Sequence, residues 1–305
     1  MTTLNASQLA INEAWFVPID ILNIICLSLT ILLALLFLLI IIYDKTCHTI
    51  PMMLIANSCA TELLLSSTIL WMTKFTLQSD LTQNTIPDSL CIYRGYIVYV
   101  IYCAQNYSYL LQAIYRYITV VYPTRLFWQS KHVQVSLILL VWVTSIIYAF
   151  PHIFVGEIVY RVDDQTCQLP LHLSLISVYN VIYAYILPVH GIIFIYLKLV
   201  RYVKEMSKHV TPTNVLSRAQ RELRMVYRIV ILISTLLVLS IPYATFTFMG
   251  YFTQPPKHHF RIAYIFVCMS LMIIMLILFN GTDPVRLSLM KQINRRPNTI
   301  IAGRT

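Results

Sequence analysis

The sequence predicts an all-α membrane protein, a bundle of seven transmembrane helices with its N-terminus outside and its basic loops in the cytoplasm. Three observations predict it. Only 11% of the 305 residues are charged and 58% are hydrophobic; a soluble chain carries roughly 25% charge, so there is too little here to cover a water-facing surface. Seven apolar stretches each reach the about 20 residues that a spanning helix needs. Lys and Arg gather between alternate stretches, as the positive-inside rule requires.

The stretches lie at 17–42, 51–73, 89–121, 133–155, 172–203, 220–251 and 259–282. The first is uncharged from Ile21 to Ile42 with no Lys or Arg before it, which reads as a signal anchor and not a cleaved leader. The second carries Glu62 at mid-span, and ionisable groups inside a bilayer are costly enough to suggest function. The third runs from Cys91 to Arg116 and beyond. The later spans are punctuated by Pro151, Pro188, Pro242 and Pro284; each proline removes a backbone donor and kinks its helix. Simple bending of the bundle is one reading of them, and pivots at Pro188, Pro242 and Pro284 are the other. The organisation is therefore an extracellular N-terminus at 1–16, a seven-span domain at 17–284, and a cytoplasmic helix and tail at 285–305.

With the N-terminus outside, 17 of the 22 Lys and Arg lie on the cytoplasmic side. The outer five are Lys74, Arg94, Arg161, Lys257 and Arg261. The net charge of +10 then reflects basic faces near anionic headgroups and not nucleic-acid binding. Among seven cysteines only Cys91 and Cys167 fall on the oxidising outer side, so they are expected to form a disulfide. The sequon at Asn5 is a plausible glycan site in the same compartment. No metal-ligand pair or Ser/His/Asp set stands at working spacing, so neither enzymatic activity nor a cofactor is expected.

Glu62 and Asp283 have no basic residue at their depth. Approaching each other, with Gln105 beside them, they cannot both ionise cheaply; a shared proton or a sodium ion would relieve the repulsion, and separate protonation is the alternative.

The order and spacing of these features resemble a rhodopsin-like (class A) G-protein-coupled receptor, from about residue 17 to 296. Cys91 and Arg116 stand 25 residues apart, about 37 Å of helix, as the family's cysteine and arginine do at the two ends of helix three. The run Asn57 to Glu62 resembles the helix-two motif, with Glu62 in place of aspartate. Trp142, Pro188 with Tyr196, Pro242, Pro123 and Asp283-Pro284 match the family's punctuation of helices four, five and six, the second inner loop and helix seven. Val285–Arg296 resembles the short amphipathic helix that follows helix seven. The chain departs from the pattern at several places. Tyr115-Arg116-Tyr117 lacks the acid before the arginine. Ala34 or Leu35 stands for the first-helix asparagine, Ser240 for the helix-six tryptophan, and Leu287 for the helix-seven tyrosine. Asn106 and Leu236 replace an apolar and an aromatic residue beside Pro188.

The resemblance implies a receptor of the plasma membrane that passes an extracellular signal to a heterotrimeric G protein. Arg116, flanked by Tyr115 and Tyr117 and paired at rest with Glu222, would carry coupling, with Tyr196 nearby. The stretch Ile262–Asp283 has no lysine for a retinal Schiff base, and Val98 stands where a monoamine receptor needs an acid. Val98, Tyr99, Tyr102, Tyr179, Tyr183, Tyr243 and Phe246 are the expected pocket, aromatic and uncharged, suited to a neutral or peptide ligand; the same tyrosines also serve as ordinary core and interface anchors. The lost motif residues keep open a receptor fold that does not signal. A secondary transporter would usually show internal repeats, and the chain has none.

Overall fold

A computed structural model describes residues 16–82, 90–161, 164–169, 173–208, 213–253 and 256–294. Within it the side chains of Glu222 and Asp283, and the whole of Asn5, lie outside the described residues. The chain forms α1 (Phe16–Tyr43), α2 (Ile50–Thr82), α3 (Cys91–Val121) and α4 (Lys131–Phe154), then a hairpin of β1 (Val159–Arg161) and β2 (Thr166–Gln168). Span five is α5 (Leu175–Val181), a π-helical segment Ile182–Ile186, and α6 (Leu187–Lys208). Span six is α7 (Thr213–Leu239) and α8 (Ile241–Phe252); span seven is α9 (His259–Gly281), followed by α10 (Asp283–Asn294). The bundle closes on itself, with α1 packed on α2 and α9, and α3 packed on α2, α4, α6 and α7. The hairpin end is called the outer end, as the distribution of Lys and Arg assigns it.

Five of these helices are long and apolar enough to cross a membrane, and the bent pair in span six makes a sixth. The seventh, α3, is more polar because protein and not lipid surrounds it: more than half of its 31 residues are buried. On α1 the reverse holds. Ile21, Ile25, Leu29, Leu32, Leu36 and Leu39 are exposed at helical spacing, a stripe for acyl chains.

Helix ends follow local chemistry. Ser130 caps α4 by accepting from the Val133 amide, and Ser174 caps α5 by accepting from Ser177. Helix α2 continues well past residue 73 to Thr82; there the hydroxyls of Thr76 and Thr82 donate to the carbonyls of Met72 and Gln78, one turn back, and are satisfied within the helix.

Two of the expected pivots lie at real distortions. Pro188 follows the π-helical segment. It cannot donate to the carbonyl of Ala184, and the side-chain amide of buried Asn106 donates there instead at 3.0 Å, the kind of rescue a proline inside a membrane helix needs. Pro242 lies in the first turn of α8, just past a 49° bend between Val230–Leu239 and Ile241–Phe252. Pro284 differs. Helix α9 ends at Gly281 and Pro284 lies in the first turn of α10, where a missing amide breaks no helical bond. It starts the inner helix and does not kink span seven.

Candidate ligand entrance and polar core

At the outer end Cys167 of β2 is bonded to Cys91, the first residue of α3, with Cα atoms 5.5 Å apart. The hairpin lies directly against α3: a Cβ on Gly95, one turn in, would stand 3.1 Å from the Cys167 carbonyl and from Ile158. From this anchor Gln168 reaches into the bundle. Its Oε1 accepts from the Tyr99 hydroxyl at 3.0 Å, its Nε2 donates to Tyr264 on α9, and the Leu169 amide donates to Tyr99 at 3.2 Å. The loop thus closes the space between spans three and seven.

The expected pocket residues divide into groups. Tyr99, Tyr102, Tyr179 and Tyr183 belong to one cluster with Tyr148. Tyr148 stacks on Tyr183 at 5.0 Å, and Tyr99 stacks on fully buried His152 at 5.0 Å. Tyr243 and Phe246 meet the start of α9 instead, at Phe260 and His259. Val98 packs with Ile101, Leu65 and Leu271. Most of this aromatic set is therefore engaged in joining α3, α4 and span five, and His152 and Tyr148 are members that sequence reasoning missed.

Below it lies a polar core. Glu62 is fully buried; one carboxylate oxygen accepts from Gln105 and from the Tyr109 hydroxyl, the latter at 2.9 Å. Its other oxygen has no hydrogen-bond partner among the described residues. Asn57 donates to Ser108 at 2.7 Å and accepts from the Trp142 indole at 3.1 Å, and Gln112 donates to Ser58. Gln105, Ser108, Tyr109 and Gln112 follow the i, i+3, i+4, i+7 pattern, so α3 presents one polar stripe to α2. The expected Glu62–Gln105 contact is present. The approach of Asp283 to Glu62 lies outside the described side chains.

At the inner end Arg116 is buried, and its expected partner Glu222 lies outside the described side chains. Tyr115, in place of the acid, is buried against Leu54 and Leu111, with Leu137 and Val141 of α4 packed around it. Tyr117 meets Tyr122 edge-on at 6.1 Å, and Tyr196 is half-buried on α6.

One ionic cluster was not anticipated. Arg261 of α9 holds Asp80 of α2 with both terminal nitrogens, stands 3.8 Å from Asp20 of α1, and lies under the Phe16 ring at 4.4 Å. This clasp ties the outer ends of spans one, two and seven. Asp20, an ionisable residue inside the first span, was the available signal.

The chain matches the family model of the 7 transmembrane receptor (rhodopsin family) over residues 34–278. No curated protein sequence matches it. Among solved structures it is similar to squid rhodopsin, with a TM-score of 0.75 and 18% identity over 92% of this chain and 86% of that one; at that identity the likeness speaks for the fold alone. The fold and the family match agree: the chain belongs to the rhodopsin-like (class A) family of G-protein-coupled receptors.

Proposed function

We propose that the protein transmits an extracellular ligand signal across the plasma membrane to a heterotrimeric G protein, by a population shift in which the inner half of span six swings away from span three. The observation that carries this is the join between two distorted helices. The Tyr185 hydroxyl, on the π-helical segment of span five, lies 3.1 Å from the Ser240 hydroxyl at the 49° bend of span six. π-Helical turns inside α-helices mark functional sites frequently. Pro242 leaves the backbone at that bend short of one hydrogen bond, so α7 pivots at low cost.

In this reading Arg116 pairs with Glu222 at rest and faces the G protein when span six opens. Glu62 and Asp283 share a proton or hold a sodium ion in the core. The absence of a lysine in Ile262–Asp283 argues against retinal, whatever the likeness to squid rhodopsin. Tyr185→Phe tests the hinge, because it removes one hydroxyl and keeps the ring. A neutral hydrogen bond contributes about 0.5–1.5 kcal/mol, a factor of about two to ten in the equilibrium. Basal G-protein dissociation in cells should change a few-fold; unchanged output in a chain that couples would remove the hinge from the mechanism. One observation favours a second reading, a receptor fold that does not signal: Tyr115 is a packed core residue where most members place an acid.

A further inference from the structure

The acidic clasp at the outer end is not balanced. Three carboxylates, Asp20, Asp80 and Asp164, surround one guanidinium. Arg261 spends both terminal nitrogens on Asp80. Asp20 Oδ2 stands 3.8 Å from Arg261 Nη1, beyond hydrogen-bond reach, and Asp164 Oδ1 accepts only a long bond of 3.4 Å from the Arg261 amide. Of the other bases nearby, His259 Nδ1 is 2.8 Å from the Pro256 carbonyl and Arg161 lies 6.0 Å over the Phe260 ring, while His259 and His258 act on Asp164 through their charge.

Three oxygens are left over. Asp20 Oδ2, Asp164 Oδ2 and Thr166 Oγ1 are buried with no hydrogen-bond partner among the described residues, on residues from α1, the hairpin turn and β2. Asp20 is 4% and Asp164 1% exposed. All three residues line one cavity of ≈ 20 Å³ between α1, α2, α9 and the hairpin, room for about one water-sized group. Buried carboxylate oxygens without donors are costly. A small positive group able to donate to three acceptors satisfies all of them and offsets the surplus carboxylate charge. A primary ammonium has that charge and three N–H donors.

We propose that this cavity recognises the primary ammonium group of an extracellular ligand, supplied either by a small amine or by the amino terminus of a peptide. The site is at spans one, two and seven, with the hairpin over it. Calling its occupant a ligand rests on the receptor reading, but binding is measured without any G protein, so the two fail separately.

The test is thermal unfolding of the purified, detergent-solubilised chain titrated with propylammonium, tetramethylammonium or sodium chloride, and with triglycine amide or its N-acetyl form. Propylammonium should raise the melting temperature saturably and tetramethylammonium at the same concentration should not; any sodium shift, which the core site at Glu62 would give, should be the same in Asp164→Asn. Stabilisation by triglycine amide and not by its acetylated form assigns the peptide source, and stabilisation by propylammonium alone assigns the amine. Asp20→Asn and Asp164→Asn should each weaken binding about tenfold or more. Thr166→Val keeps every charge, serves if either Asn variant fails to fold, and should weaken binding several-fold. No shift with propylammonium, an equal shift with tetramethylammonium, a sodium shift abolished by Asp164→Asn, or undiminished propylammonium binding in the folded variants would overturn the proposal.

Discussion

Replacing Asn106 by leucine, close to what the family places there, should destabilise the bundle through a single carbonyl. Asn106 is 3% exposed and its amide donates to the Ala184 carbonyl that Pro188 cannot serve. A buried polar group left without its partner costs about 1–3 kcal/mol, while side-chain hydrogen bonds between membrane helices average about 0.6 and reach about 1.7 kcal/mol. The carbonyl here has lost its backbone donor as well, so the upper part of the membrane range applies, about 1–2 kcal/mol. At about 2–4 °C per kcal/mol, the melting temperature of the solubilised receptor should fall by about 2–8 °C. The decisive comparison is a double-mutant cycle. Pro188→Ala restores an amide that can bond to Ala184 once the π-helical segment relaxes, so Asn106→Leu should cost less than half as much in that background. Losses that add within about 0.5 kcal/mol, or no loss from Asn106→Leu in the natural chain, would overturn this role for Asn106.

Two further predictions concern the outer end. Arg261→Ala removes the shared partner of buried carboxylates and should cost about 3–5 kcal/mol, seen as a large drop in melting temperature that Asp80→Asn partly restores; a loss no larger than that of an exposed arginine would mean the clasp is not formed. The Asp164 carboxyl, outside the spans, is held above its ordinary 3.8 by burial, opposed by His259, the Arg261 amide, His258 and the Arg261 charge. A raised folded value means that its stabilising contribution is complete below 3.8 and lost as pH rises through the folded value. Asp164→Asn leaves every other ionisable group in place, so the comparison isolates this one: the variant should lose less stability between acid and neutral pH, and identical pH profiles would contradict it.

Much of this was legible in the sequence because it is local. Apolar length marks most spans, Cys91 opens α3 where its position implied, and the two outer cysteines needed only a compartment to be paired. The rest depends on distant residues or on backbone detail. Arg261 and Asp80 are 181 positions apart, and no pattern in either span announces the other. The second apolar stretch ends at residue 73, yet α2 runs on to Thr82, where Thr76 and Thr82 bond back to their own helix. Asn106 read as a lost motif residue; its purpose shows only when the Ala184 carbonyl is seen facing it. Pro284 read as a kink because its position relative to the end of α9 could not be fixed within a residue or two. The aromatic residues expected to line a pocket are largely spent on one another, since sequence gives their depth in the membrane but not which neighbours they face.

In the proposed mechanism the chain couples to a G protein through Arg116. The direct measurement is G-protein dissociation in cells, across the Gα classes, for the natural chain and for Arg116→Ala at matched surface expression. The account predicts output above untransfected cells for at least one class and its loss in Arg116→Ala. Output that survives Arg116→Ala, or no output from the natural chain in any class, would contradict it, and the latter result would favour the receptor fold that does not signal.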